Sequence, residues 1–483
     1  MKNFKMISLA LIACIGLSLS ACNDFLFTPQ PGTVNDDLVP DDKAKVEAVL
    51  LDAYNRVQGG GMFGGRIQRS AALFGDEIDF TFVSPSNNVW SNRLFSVLTN
   101  NPGESIWVDG YAAIYRANLV IQYSTAKTYP ATQAEYDKLA GEGYFLRALC
   151  HFEICRFFSK PYSDPARGQN PGAVLRLVAE SSTSIANNKR QRNSVEDTYQ
   201  QVLRDLDQAI ALLPAFAGPG SDFRATKEAA QALKARVLFD MNQHADVLPL
   251  ADQVIGDGSR FALGTPVAPF RNVNANSAGG VIFGLRNTTG DDGAGELRTS
   301  FFNAFNPVAV QFPLDSIGFQ GNHTTSLVYA LRTGGAFRRD SLLTGSNPAK
   351  KITSKWRGAA IAGGAPTNVP VLRIAEMYLS RAESRFQTGN EAGARDDLNA
   401  IRAYAGSLTV DGSVAGPALL DSIRLERRRE LFLENDRWHQ LRRLQLQTGP
   451  NPNQPFSYNT DVLFPIPNSE INGNPNIQKN GNN

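Results

Sequence analysis

Apolar residues spaced three and four apart run through most of this chain, and that spacing predicts a mainly α-helical protein. Val46, Val49, Leu50, Tyr54 and Val57 make the first stripe, which Asp41 or Asp42 can cap and the glycines at 59–61 end. Residues 105–123 follow through Trp107, Tyr111, Ile114 and Tyr115, and residues 132–158 through Tyr136, Leu139, Leu146, Leu149 and Phe152. These two helices are expected to be neighbours. Ser194, with Asp197 three positions on, begins the clearest helix, where Tyr199, Val202, Leu203, Leu206, Ile210 and Leu213 share one face up to Pro214. Six such side chains represent roughly 10 kcal/mol of gross burial, so the face requires a partner. The helix predicted over 226–242, with Ala230, Leu233, Val237 and Met241, supplies one, and a shorter helix over 245–255 follows.

Elsewhere the period fails. Residues 62–103 read as irregular, and the loop over 159–193 carries Pro161, Pro165, Pro171 and a basic cluster, Lys189, Arg190 and Arg192, expected to be solvated. From 261 to 368 Gly, Asn, Thr and aromatics dominate around one apolar run at 281–285. Phe301, Phe302, Phe305, Phe312, Phe319 and Tyr329 are more rings than a linker needs, so they predict a satellite core with a few rings exposed. Helical spacing returns at Val369, with Val371, Ala375, Tyr378, Ala382 and Phe386 on one face. After Gly389 and Asn390 a partner helix runs through Ala394, Leu398 and Ile401. Two antiparallel helices with small facing residues make a tetratricopeptide-like hairpin, and 194–242 is a second candidate. The roughly 34-residue period is poorly kept, so the expected architecture is divergent helical repeats with insertions.

Residues 421–444, DSIRLERRRELFLENDRWHQLRRL, hold seven Arg, five acids and no Lys. On one helix the apolar stripe of Leu420, Ile423, Trp438 and Leu441 also contains Glu426, Arg427, Glu430, Glu434 and Arg437, with Leu425 and Phe432 opposite. Arg-only cations interleaved with acids indicate bidentate pairs inside the protein, not a nucleic-acid patch. Glu426, Glu430 and Glu434 repel one another, so further cations must come from other helices, with Arg373 and Arg381 as candidates. A buried, charge-paired helix is expected.

At 483 residues, 42% hydrophobic and 19% charged, the chain has ordinary globular composition, which excludes global disorder. Lys2 and Lys5, an apolar run over 6–19 and Leu19-Ser20-Ala21-Cys22 follow the order of a leader ending in a bacterial lipobox. Cys22 is then the lipidation site, residues 22–40 a tether, and the run is too short for a membrane span. The alternative is a soluble exported protein cut near Ala21. Without the leader's two lysines the 48 basic side chains fall level with the 46 acidic ones, and no nucleic-acid partner is expected. Cys150 and Cys155, about 8 Å apart on a helix, are too distant for a disulfide and read as buried thiols. No H-E-x-x-H, G-x-S-x-G or G-x-x-x-x-G-K occurs, and His151, His244, His323 and His439 are scattered. No metal site, triad or cofactor is predicted.

Several stretches, taken in order, resemble the SusD/RagB family of outer-membrane lipoproteins that serve Bacteroidetes nutrient uptake. They are the lipobox with its Cys-Asn-Asp-Phe-Leu start, GEGYFLRALCHFEICRFFSKP, SVEDTYQQVLRDLDQAIALLP with RATKEAAQALKARVLFD, VLRIAEMYLSRAESRFQTGN, ERRRELFLENDRWHQLRR and LFPIPNSEINGNPNIQKN. His439 and Gln440 depart from the family's usual Asp before Leu, and NGNN replaces a terminal Gly-Tyr. The resemblance implies tetratricopeptide-like helices carrying a loop-rich ligand region. It divides the chain into a leader (1–21), a tether (22–40), an N-terminal helical region (41–260), an insertion (261–368) and a C-terminal helical region (369–483). It further implies a lid on a SusC-like TonB-dependent transporter at the cell surface, capturing a glycan or, in some members, a peptide.

A glycan site needs flat rings for the apolar faces of sugars and polar side chains for their hydroxyls. Trp90 with Asn87, Asn88 and Asn92, close to Asp79, has that composition, and the resemblance places ligand contacts near this segment and in the insertion. For Trp90 both a ligand platform and a core position are open. Trp356, beside Lys355 and Arg357, reads as structural, and Trp107 and Trp438 as core. A glycoside hydrolase would need paired carboxylates, for which Asp76, Glu77 and Asp79, or Asp291 and Asp292, are the candidates. A solvated or calcium-stabilised turn is the preferred reading of both groups.

Overall fold

Asp42 accepts a hydrogen bond from the Lys45 amide and starts α1 (Lys43–Gln58), which buries Val46, Val49, Leu50, Tyr54 and Val57 and stops at Gly59. The structure, a computed structural model, describes residues 41–78, 103–180, 188–218, 220–256, 258, 260–270, 279–288, 290–301, 314, 327–333, 335, 343–344, 352–356, 368–446 and 463–480. A second helix, α2 (Arg66–Phe74), corrects the reading of 62–103 as irregular throughout. Its buried Ile67, Ala71 and Phe74 do keep helical spacing, but nine residues between glycines with no side-chain cap give that signal little length.

Helices α3 (Glu104–Ala126) and α4 (Gln133–Phe158) lie along each other as the spacing predicted. Thr132 and Glu135 form a reciprocal capping box at the start of α4. Gly143 permits the close approach: a Cβ there would stand 3.1 Å from the Ala117 carbonyl oxygen and 2.8 Å from Ile121 Cγ1. Almost the whole of α4 is buried, charged residues included, which is the mark of a central helix. Its charges are matched from its neighbours. Arg147 makes a bidentate pair with Asp205 at 2.6 and 2.8 Å, and Glu142 accepts the Tyr54 hydroxyl at 2.6 Å and the Arg224 guanidinium. Cys150 and Cys155 are free and buried, and burial pushes the Cys155 thiol up to about 11, far from a reactive thiolate.

The Ser194-capped helix α5 (Val195–Leu212) packs on α4 and on α6 (Lys227–Asp240), so the predicted partner is present and α4 is a second, more extensive one. Helix α7 (His244–Ile255) packs against α6. The apolar run 281–285 is a strand, β1 (Val281–Leu285), followed by the short helices α8 (Gly295–Phe301) and α9 (Leu327–Thr333). A two-residue pair, β2 (Leu343–Thr344) and β3 (Ile352–Thr353), comes next. Phe301 is buried and Tyr329 exposed, whereas Phe302, Phe305, Phe312 and Phe319 lie outside the described residues. Helical structure does not return at Val369. Residues VPVLR form a fully buried strand, β4 (Val369–Arg373), antiparallel to β1 with Val281 opposite Arg373 and Leu285 opposite Val369. A short apolar run cannot distinguish the two states, and here a partner strand nearly ninety positions upstream decides it.

The C-terminal hairpin is as predicted. Helix α10 (Ile374–Gln387) turns at Gly389, φ +87°, and Asn390 caps α11 (Glu391–Tyr404) by accepting the Gly393 amide at 2.9 Å. Stretch 421–444, in contrast, is two helices: α12 (Gly416–Glu430) and α13 (Arg437–Arg443), separated by a turn. Helix α14 (Asn468–Gly473) closes the described chain. The basic loop cluster also needs correction, because Arg192 is buried. It donates to the carbonyl oxygens of Phe158, Pro171 and Gly172 and to Asn480 Oδ1, tying the C-terminal tail to the loop. Among the described residues no helix is long and apolar enough to cross a membrane.

Candidate functional site

The turn between α12 and α13 is where distant segments meet. Leu433 and Asn435 have φ of 57° and 67°, a left-handed conformation unfavourable for a leucine above all, so the surroundings must impose it. They do so through buried polar side chains. Glu77 accepts the Leu433 amide at 3.1 Å, and Asn435 donates to Glu153 of α4 at 3.0 Å and pairs with His439 at 3.0 Å. Lys355, fully buried, donates to the carbonyl oxygens of Glu430 and Phe432 at 2.9 and 2.8 Å and pairs with Glu434 at 2.6 Å. From β4, Arg373 makes a bidentate pair with Glu434, both bonds 2.7 Å, and reaches Glu430 at 2.9 Å. Arg373 is thus a predicted external cation found in place; Arg381 instead pairs with Asp397 and Asp252.

The arginines of the stretch are also turned inward. Arg427 clasps Asp436 and stacks on Phe239, its carbon 4.6 Å from the ring centre. Arg429 holds α9 through the Ala330 carbonyl and the Thr333 hydroxyl, each at 3.0 Å. Arg443 bonds Glu383 at 2.9 Å and Asn242 at 2.6 Å. A cavity of about 20 Å³, the room one water needs, lies among Arg236, Arg373, Glu376, Arg427, Glu434 and Asp436.

This hub anchors the roots of the two segments from which a ligand site was predicted. Arg437 grips Asp76 with two bonds at 2.7 and 2.8 Å, and Arg428 adds a third contact at 3.3 Å. Ile78 then bridges antiparallel to Leu314 of the insertion. Asp79, Asn87, Asn88, Trp90 and Asn92 follow immediately and lie outside the described residues, as does Cys22. Trp356 is buried edge-on to Phe270, and Trp107 and Trp438 are core, each as expected.

Two of the carboxylates considered for hydrolysis are committed to structure, and the solvated turn expected of them is corrected: Asp76 and Glu77 are buried, because Arg437 and the Leu433 amide draw them into the hub. Burial alone would raise the Asp76 carboxyl, but Arg428 and Arg437 override it and hold it far below the carboxylate range. Glu77 goes the other way: burial, reinforced by the Asp76 charge, pushes it up to about 8. Burial lowers Lys355 to about 8 despite Glu434 beside it. In the second group Asp291 sits exposed in a bridge with Thr288, and Asp292 accepts the Ala294 amide at 3.2 Å. Among the described residues no cluster of His, Cys, Asp or Glu is arranged to hold a metal ion.

A groove of about 160 Å³, not expected from the sequence, lies beside α3 and is lined by Trp107, Tyr111, Tyr115, Arg176, Glu180 and Glu470 among others. The aromatic stripe at i, i+4 and i+8 is visible in the sequence, where helix packing accounts for it equally well.

A central buried helix, successive antiparallel helix pairs and long insertions define a tetratricopeptide-like helical scaffold. Two family models match this chain, one described as starch-binding associating with outer membrane over residues 32–239, the other the SusD family over 325–482. The chain belongs to the SusD/RagB family. It is 24% identical to a SusD-like protein of Formosa agariphila across 99% of both chains. A putative sugar binding protein from Bacteroides vulgatus has the same fold, with a TM-score of 0.78 at 21% identity over 92% of this chain and 99% of that one. A laminarin binding SusD-like protein has a TM-score of 0.68 at 18% identity, over 92% of this chain and all of that one.

Proposed function

We propose that this chain is a non-catalytic, cell-surface protein that captures an oligo- or polysaccharide and delivers it to a SusC-like TonB-dependent transporter, on which it sits as a lid. The observation that carries this reading is the shared fold, over nearly the whole chain, with a protein named for laminarin binding. The description of the N-terminal family model, starch-binding and outer-membrane associated, supports it. Ligand contacts fall in the segment rooted at the hub, with Trp90 as stacking platform and Asn88, Asn92 and Asp79 bonding hydroxyls, and the insertion 261–368 completes the site. Lipid on Cys22 holds the protein to the outer membrane.

Affinity electrophoresis and calorimetry against a panel of polysaccharides test the ligand class. Binding that falls about tenfold in Trp90→Ala is the expected result. Peptide binding without any saccharide binding would replace the glycan by a peptide, and release of reducing sugar would replace the lid by an enzyme. Cys22→Ser should convert a membrane-bound protein to a soluble one, and co-purification in mild detergent should recover a large barrel transporter.

A further inference from the structure

The groove beside α3 is built, not incidental. Trp107, Tyr111 and Tyr115 present one helical face to it. Over that face runs the extended segment 171–180, paired at its start with Asn193 and Ser194 through the Gly172 and Asn193 amides and fixed beyond that by side chains. The Tyr111 hydroxyl accepts the Val174 amide at 2.8 Å and donates to its carbonyl at 3.1 Å. Asn118 donates to the carbonyl oxygens of Arg176 and Val178, each at 3.1 Å, and Arg147 to that of Leu177 at 2.9 Å. Arg147 and Asn118 are themselves buried and bonded to each other at 2.8 Å, so the wall is set before any ligand arrives.

The rim carries both signs of charge. Arg176 donates to Glu180 at 2.6 Å. From α14, Glu470 accepts the Trp107 indole N–H at 3.4 Å and the Asn474 amide at 3.3 Å, and has no ion-pair partner among the described residues. A cationic ligand would meet the Arg176 guanidinium, and an anionic one two carboxylates. A neutral polyhydroxylated ring suits both, because each hydroxyl donates to a carboxylate or accepts from a guanidinium. Partly exposed tyrosine rings offer flat apolar surface for the other side of such a ring. Sites for drug-sized ligands run from about 300 to 1,000 Å³, so this smaller volume fits one ring and not a chain of them.

We propose that the groove is a saccharide subsite, distinct from the segment around Trp90, that takes a single neutral pyranose unit of a glycan. It rests on the glycan-binding reading above, and the test separates the two. The Trp107 indole N–H is a reporter inside the site, assigned in an NMR spectrum of the full chain by its loss in Trp107→Phe. Methyl glycosides of glucose, galactose, mannose and xylose are titrated against it, with methyl glucosaminide and methyl glucuronide as charged controls. At least one is expected to shift the signal saturably, with affinity about tenfold weaker in Tyr115→Ala and in Glu470→Gln. Unchanged melting curves for both variants would confirm that the loss is local. If none shifts the signal while the same chain still binds polysaccharide, the subsite is overturned and the glycan reading stands. If neither monosaccharides nor polysaccharides bind, both fall. A shift given only by methyl glucosaminide or methyl glucuronide would overturn the neutral-ligand assignment.

Discussion

In the hub every guanidinium of α12 and α13 ends on an acceptor within the fold, whereas around the groove Glu470 keeps a carboxylate with no ion-pair partner among the described residues. Both regions combine aromatic rings with charge, and on composition alone the Arg-rich hub is the more conspicuous. Burial separates them. Charges removed from water must be matched internally or they cost several kcal/mol each, so the hub's polar groups are consumed by structure. Groups at a partly open rim keep bonding capacity for a ligand. Density of charged residues is therefore a poor guide to function here, and residual bonding capacity a better one.

The largest expected effect tests the hub. Arg373→Ala removes a cation from buried Glu430 and Glu434, leaving Lys355 beside Glu434, and should lower stability by about 3–5 kcal/mol, read as a fall in denaturation midpoint at unchanged m. A near-neutral result would erase the contrast. Asp76→Asn keeps the shape but removes the charge facing Arg428 and Arg437, for an expected loss of about 1.5–3 kcal/mol in the same measurement.

The pH response sharpens the comparison further. Glu77 ionises at about 8 in the fold and near 4.5 when unfolded. A raised folded pKa gives a stabilising contribution that is complete below pH 4.5, falls as pH rises, and is gone above about 8. Glu77→Gln does not ionise and can still accept the Leu433 amide. Its melting temperature relative to the parent should therefore climb between pH 4.5 and 8 and then level off; a constant difference across that window would mean Glu77 is not buried as described. The smallest effect belongs to the groove. Tyr115→Ala and Glu470→Gln should each shift stability by no more than about 0.5 kcal/mol, because both sit at a partly exposed rim. A loss comparable to that of Asp76→Asn would turn the groove into a second structural hub.

Legibility followed the range of the interactions. Capping by Asp42, Thr132 and Ser194, and the Gly389 turn, act within four residues and could be read directly. The inward-facing arginines were legible from composition, since Arg-only cations among acids suit bidentate pairing. The groove was legible only in its aromatic half. Its polar rim comes from residues more than sixty and more than three hundred and fifty positions away, and no local pattern announces Arg176 or Glu470 as neighbours of Trp107.

What the sequence determined by itself is the helical class, most helix starts, the interior placement of the Arg-rich stretch and the family resemblance, because periodicity, caps and composition are local or additive properties. Only the tertiary structure decided that 369–373 is a strand, that Arg192 is buried, and that 421–444 breaks at Leu433 and Asn435. Residues LFLEND contain neither Gly nor Pro, and nothing in them stops a helix. The break exists because Glu77, Lys355, Glu153 and Arg373, brought in from four other parts of the chain, bond the backbone and side chains of the turn in a left-handed form. Buried polar groups are satisfied by whatever the fold brings near them, and that is set by the whole chain at once.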